Sequence, residues 1–148
     1  MRLTLWLFAV GQLSACSRSQ SVETELRAWR AVAPPSYEFD FKWKCFCPGA
    51  GVWWRVVVEN HVVTGANVID STLIPKGGFG PPAGGFPTID SVFARIERAI
   101  AANSASVDVF YDSDLHFPIS VTVDQLREAV DDEWTLDIRS FRPRRGPG

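Results

Sequence analysis

Cys45 and Cys47 lie one residue apart in KCFCPG, residues 44–49, and are the side chains best suited to do chemistry. Such a pair could be a redox couple, a metal site, a structural disulfide or two buried thiols. Redox work needs an exposed thiolate with a lowered pKa, usually beside a cation or at a helix N-terminus. Both cysteines instead end an alternating strand whose lysines are predicted to point the other way. A local disulfide is therefore the favoured interpretation, and the other three remain open.

The other reactive residue types form no recognised catalytic pattern. His61 and His116 are scattered and lack the close spacing that a second pair of zinc ligands would need. The chain has no G-x-S-x-G motif, and its Gly-rich segment lacks the Lys-Ser/Thr end of a phosphate-binding loop. The acidic residues late in the chain lack EF-hand spacing, which favours turn caps over calcium ligands. We therefore expect no catalytic residue, no metal and no cofactor.

The N-terminus predicts export and lipid attachment. Arg2 precedes an apolar run, Leu3–Val10, that is too short to span a bilayer but suits a signal peptide. The sequence LSAC, ending at Cys16, resembles the bacterial lipobox. That resemblance implies a signal peptide at 1–15, lipid on Cys16 and a tether at 16–21, and Ser17 favours the outer membrane, facing the periplasm. The alternative is a cleaved signal peptide that leaves the Cys16 thiol unmodified.

Length and charge limit what the rest of the chain can be. The 148 residues suit one domain, predicted at 22–141, followed by a flexible basic tail at 142–148. Because 15 basic residues oppose 17 acidic ones, we expect no nucleic-acid partner.

Hydrophobic periodicity predicts the first half of the domain. Val22, Leu26 and Trp29 have helical spacing, and two prolines end that helix. The segment 36–47 alternates aromatic and polar residues, which is typical of a half-buried strand and would place both cysteines in the buried row. Two further strands follow, joined tightly at Asn60-His61, where a two-residue turn needs positive φ at its second position.

The second half repeats the order of a helix and three strands. Thr88 is a plausible cap for a helix whose apolar residues form one stripe between Ile89 and Ile100. Three alternating segments follow it. Consecutive strands with few helices indicate an α+β fold, an antiparallel sheet of about six strands with the second helix packed on it.

Large aromatic residues give the best candidates for a binding surface. Trp53 and Trp54 are adjacent in a strand, so one must point away from the core side. The Gly/Pro-rich segment 74–87 adds Phe79 and Phe86, and its composition excludes a helix or a central strand. We expect these four aromatic residues to form a contact surface, if the chain has one.

The order of these features resembles a bacterial lipoprotein family of unknown function, DUF6174, over about residues 22–141. The residues that carry the resemblance are Trp29, Cys45-x-Cys47, a valine-rich hairpin, TID-x-x-F (Thr88–Phe93), Tyr111-Asp112, Phe117-Pro118, Asp124 and Asp131-Asp132-Glu133. The resemblance implies an exported, often lipid-anchored α+β domain with no assigned activity. The chain departs from the family pattern at His61 and His116, where the pattern favours glycine in turns.

We therefore expect a lipid-anchored envelope protein that binds or scaffolds a partner and has no catalytic activity. Its partners would be the membrane, through Cys16, and an unknown envelope protein or a small apolar ligand. The alternative function is thiol-redox or metal-binding work by Cys45 and Cys47.

Overall fold

A computed structural model describes residues 10–46, 50–69, 85–129 and 132–144, with the backbone alone for 10–20. Within these ranges the chain forms two helices and six strands, in the predicted order of helix, three strands, helix, three strands. The elements are α1 (Val10–Val32), β1 (Tyr37–Lys44), β2 (Trp53–Glu59), β3 (Val62–Val68), α2 (Ile89–Ala101), β4 (Ser106–Tyr111), β5 (Pro118–Asp124) and β6 (Trp134–Pro143).

The six strands form one antiparallel sheet in the order β3-β2-β1-β6-β5-β4. Each half of the chain contributes a three-stranded meander, and the pairing of β1 with β6 joins the two halves. Helix α2 contacts α1, β4 and β5, and α1 packs on the same face of the sheet through Trp29. The predicted α+β class is confirmed, and both helices cover one face.

The alternation in β1 creates the centre of the core. Tyr37, Phe39 and Phe41 are at most 1% exposed, because these odd-numbered residues all point toward the helices. Helix α2 opposes them with the predicted apolar stripe, of which Ile89, Val92, Phe93 and Ile96 are buried. The Thr88 hydroxyl accepts a hydrogen bond from the Ser91 N–H at 3.1 Å, so the predicted N-cap is confirmed.

Trp29 joins the two helices to the sheet. Its fully buried ring makes edge-on contacts with Tyr37, Phe117 and Phe141 at centroid distances of 5.8, 6.0 and 5.7 Å. Its indole Nε1 donates to Asp90 Oδ2 at 3.3 Å. The Tyr37 hydroxyl in turn accepts a hydrogen bond from the Ile89 N–H at 3.1 Å. The polar atoms of Trp29 and Tyr37 therefore both form hydrogen bonds with the first turn of α2.

Two turns contain histidine where the backbone favours glycine. Asn60 and His61 have φ of 49° and 65° in the β2–β3 hairpin, as the predicted two-residue turn requires. His116 has φ of 65° in the β4–β5 turn. Both histidines therefore adopt the left-handed conformation that glycine reaches without steric cost.

Three element boundaries differ from those predicted. Helix α1 already includes Val10, the first described residue, and so extends well before the predicted start near Val22, since the residues between contain no proline to stop it. Strand β6 extends to Pro143, two residues past the predicted end of the domain at 141, because Tyr37 and Glu38 pair with Pro143 and Arg142. Strand β1 ends at Lys44, so Cys45 follows the strand rather than ending it.

Within the described ranges, neither helix is both long enough and apolar enough to cross a bilayer.

Candidate functional site

The sheet face opposite the helices, called the open face below, has no described helix or loop packed over it. Apart from one tryptophan and one phenylalanine, its residues are polar or charged, and cross-strand pairing aligns them in rows. The open face consists of Lys42, Lys44, Asp40, Trp53, Arg55, Asn67, Thr135, Asp137, Arg139, Ser120, Thr122, Asp108 and Phe110.

Trp53, the first residue of β2, is the tryptophan of this surface. The Lys42 Nζ lies 4.3 Å from its ring centroid, and the Arg139 Cζ lies 3.8 Å from it. Because a cation above an aromatic ring is attracted to the π electrons, the two contacts fix the indole in place while leaving it half-buried. The ring is thus held on a rigid sheet in a prearranged position.

Trp54 points to the opposite face, as its position next to Trp53 predicts. Its ring packs against Phe86, the residue three positions before α2, at a centroid distance of 4.9 Å. The two residues therefore belong to the helix side of the sheet and not to the open face. Phe79, the fourth predicted surface residue, lies outside the described residues.

Asp40 is a buried carboxylate on the open face. It is 3% exposed, and Arg55 closes over it with both Nε and Nη2 at 2.9 Å from Oδ1. The Arg139 Nε lies 3.7 Å from Oδ2. Two arginines from the flanking strands therefore compensate one buried charge, which a lone carboxylate could not tolerate. Arg139 connects this ion pair to Trp53.

Asp137 is the second anionic centre of the open face. It lies 2.9 Å from Lys44 Nζ and 3.2 Å from Lys42 Nζ, and the Ser120 hydroxyl donates to it at 3.1 Å. Partial burial alone would raise the pKa of Asp137, but the hydrogen bonds from Lys44, Lys42 and Ser120 outweigh burial and lower that pKa. The carboxylate therefore stays ionised and keeps Lys42 positioned beside Trp53.

A cavity of about 610 Å³ lies beside the C-terminal end of β1. Its described lining residues are Lys44, Cys45, Phe46, Ala129, Glu133, Trp134 and Thr135. Cys45 is half-buried in its wall, so the prediction that Cys45 continues the buried row of β1 was wrong. The strand ends one residue earlier, and the chain bends at Cys45. Cys47 lies outside the described residues, as does its predicted bond.

The histidines and turn carboxylates have structural contacts. His116 Nδ1 lies 2.9 Å from Glu25 Oε2 and ties the β4–β5 turn to α1, while His61 is exposed. Asp112 Oδ1 accepts hydrogen bonds from the amides of Asp114 and Leu115, the turn cap that the sequence predicts. No group of three metal-ligating side chains occurs among the described residues.

The sequence predicted Trp53 as a surface residue but not the charged residues that hold it. The alternation in β1 places Asp40 and Lys42 on one face, and this signal was available. Which cations they meet depends on the register of β2 and β6, and only the folded sheet supplies that register.

These features define a class of protein, a single-sheet α+β domain with both helices on one face and a charged, tryptophan-containing face on the other. The chain belongs to DUF6174, a family of unknown function, whose model matches residues 21–143. The matched range starts within α1 and ends at the last residue of β6, so it covers the whole sheet. No curated protein and no solved structure matches the chain.

Asp137 predicts an acid-dependent part of the stability. Because its folded pKa lies below the ordinary 3.8, its contribution is complete above that pH and disappears as the pH falls through the folded pKa. We expect Asp137→Asn to lower the urea midpoint at neutral pH and to flatten the loss of stability below about pH 4.

The matched control is Asp108→Asn, an exposed carboxylate on the same face that forms no ion pair with any described residue. It should leave the acid dependence of the wild type in place. An Asp137→Asn variant with the same acid dependence as the wild type would show that Asp137 does not stabilise the folded sheet.

Proposed function

We propose that this protein is a lipid-anchored, non-catalytic protein of the bacterial envelope that binds another envelope protein through the open face. The anchor is proposed at Cys16, with the domain facing the periplasm from the outer membrane. The support for the anchor is in the sequence: an apolar run, the LSAC motif and Ser17. Several acyl chains give effectively permanent attachment, since each buried methylene contributes about 0.8 kcal/mol.

The observation that carries the binding proposal is Trp53, whose ring is contacted by Lys42 and Arg139 on a face with no described cover. Tryptophan and arginine are the residue types that contribute most at protein interfaces. A ring already fixed by two cations loses little conformational freedom on binding, so more of its contact energy remains for the partner. The surrounding charges would give the contact its specificity.

The absence of catalysis is proposed from what the reactive side chains do. His116 ties a turn to α1, Asp112 caps the same turn, and Asp40 is neutralised by Arg55. Each of these groups has a structural contact that accounts for it.

The cysteines are proposed to form a local disulfide, Cys45–Cys47. Cys45 and Cys47 are one residue apart in the sequence, and neither Cys47 nor the third cysteine, Cys16, has a described side chain. Lipid on the Cys16 sulfur would leave Cys47 as the remaining partner. The bond would shape the bend after β1, since a loop this short restricts the unfolded chain very little.

A thiol-redox or metal-binding role is the second candidate function. The half-buried position of Cys45 in the wall of a cavity favours it, because a small reductant or a thiol could approach there. Lys44 and Glu133 line the same cavity and would influence the charge around the sulfur. The state of the cysteines distinguishes the two functions.

Intact-mass spectrometry of the protein purified from bacterial membranes tests the anchor and the disulfide together. We expect a chain that starts at Cys16, carries acyl groups, and gains two hydrogen atoms only after prolonged reduction. Cys16→Ser should remove the acyl mass and release the protein from the membrane fraction. An uncleaved or unacylated wild-type chain would contradict the anchor, and reduction within seconds by glutathione would favour the redox function.

Site-specific photo-crosslinking in intact cells tests the binding face. A photoreactive side chain at Asn67, which lies opposite Arg55 on the open face, should give a defined adduct. The same group at Glu97, exposed on α2, should not. Trp53→Ala should remove the Asn67 adduct, whereas Trp53→Phe, which keeps a ring for the cations, should retain part of it.

Three outcomes contradict the binding proposal. They are an adduct from Glu97 alone, an Asn67 adduct that is insensitive to Trp53→Ala, and no adduct from either position.

A further inference from the structure

Strand β4 is an edge of the sheet and has one described neighbour, β5. The Ala105 N–H donates to the Gln125 carbonyl at 3.3 Å, just before the paired register of β4 and β5 begins. In an antiparallel strand, the backbone N–H and C=O groups of every second residue point toward the same neighbouring strand. The backbone groups of Val107 and Val109 therefore also point toward β5. The N–H and C=O groups of Ser106, Asp108 and Phe110 therefore point outward, where the described residues supply no strand to pair with them.

The open-face side of this edge combines an acidic group with an apolar one. Phe110 is 67% exposed, which is unusual for a phenylalanine in a strand. Asp108 is exposed and lies diagonally across from Asp124 on β5, and neither forms an ion pair with any described residue. A strand placed beside β4 would be favoured by a basic side chain facing Asp108 and a β-branched one facing Phe110.

The helix side of the same edge contains a groove. A cavity of about 230 Å³ opens there between the two helices and β4, and Val22, Ile100, Val107, Val109 and Tyr111 are among its lining residues. This volume accommodates one or two aliphatic side chains. An added strand would direct every second side chain into it, in phase with the residues that face the open side.

We propose that the β4 edge binds an extended peptide of a partner protein as a seventh strand, with a basic side chain opposite Asp108 and aliphatic side chains in the groove. This inference rests on the binding role proposed above and names a second contact surface, at the β4 edge, and the partner chemistry that it takes. The outward backbone groups supply the affinity, and the alternation of basic and aliphatic side chains supplies the specificity. Charge complementarity at Asp108 selects a basic peptide over an acidic one.

A second copy of the chain fits this edge less well. An antiparallel pair of β4 strands centred on Val109 would place each Asp108 beside Phe110 of the other copy. The carboxylates of Asp108 and Asp124 from both copies would then lie on one small surface without a basic partner. Like charges across neighbouring strands are destabilising, so the edge favours a basic segment from a different protein.

The test uses the purified full-length protein and a fluorescein-labelled probe peptide with the core sequence Val-Thr-Val-Lys-Val-Thr. Running antiparallel to β4, this probe places its lysine opposite Asp108 and its valines over the groove. Fluorescence polarisation should show saturable binding, and replacing the lysine by glutamate should weaken it roughly threefold to tenfold. A probe N-methylated at the lysine and both threonines keeps its charge but should lose binding, since it cannot complete the ladder.

One protein variant reverses the charge at position 108. Asp108→Lys should reverse the preference, so that the glutamate probe binds better than the lysine probe. Amide hydrogen exchange should slow at Asp108 and Phe110 when the lysine probe is added, and at no other strand edge. This protection distinguishes strand addition from nonspecific adsorption to the apolar groove.

Trp53→Ala separates this inference from the proposed function. Probe binding that survives Trp53→Ala, together with a lost Asn67 adduct, supports two separate contacts. An Asn67 adduct without probe binding, or probe binding that is indifferent to N-methylation or to Asp108→Lys, would overturn the β4 inference alone. If the wild-type protein gave neither an Asn67 adduct nor probe binding, the binding role itself would be overturned.

Discussion

Burial of the Trp29 ring between two helices and the sheet is the constraint on which the rest of the structure depends. The ring brings one polar atom into the core, and Asp90 at the start of α2 satisfies it. Tyr37 likewise brings its hydroxyl into the core, where the hydroxyl oxygen accepts a hydrogen bond from the Ile89 N–H. Burial is the main cause that raises the pKa of Tyr37 to about 12; the hydrogen bond from Ile89 opposes this rise, and the charge of Asp90 adds to it. Tyr37 therefore remains neutral in its place.

The open face is a consequence of that junction. Because α1 and α2 both pack on the aromatic side of the sheet, the opposite side has to be stabilised by its own side chains. Ion pairs from Asp40 and Asp137 to cations on neighbouring strands do this, and Lys42 and Arg139 also hold Trp53. An antiparallel sheet with one face on the core and the other in solvent normally alternates apolar and polar residues in this way. A fixed, half-buried indole on such a surface is what points to binding.

The sequence predicted the elements well because their signals are local. The alternation at Tyr37–Lys44, the apolar stripe of α2 and the Thr88 cap depend on residues close together in the chain. The pairing of β1 with β6, the burial of Asp40 and the half-exposure of Cys45 depend on residues about a hundred positions apart or on where a strand ends. No local periodicity contains that information, so the cation pair around Trp53 could not be predicted.

The residues that carry the family resemblance converge on structural roles. Trp29 and Asp90 meet in the aromatic junction, Phe93 stacks on Tyr111 at 6.0 Å, and Asp112 caps a turn. These members of the resemblance therefore serve to fix the helices and a turn to the sheet. The residues proposed for binding, Trp53 and Asp108, lie on the open face instead.

The most direct test of the central junction compares two tyrosine-to-phenylalanine variants by urea unfolding. Tyr37→Phe removes the acceptor for a buried Ile89 N–H, and we expect it to lower the free energy of unfolding by about 1–3 kcal/mol. Tyr111→Phe removes a buried hydroxyl that has no hydrogen-bond partner among the described residues, so it should leave stability unchanged or raise it. If Tyr37→Phe proved no more destabilising than Tyr111→Phe, the junction would not be what fixes the helices to the sheet.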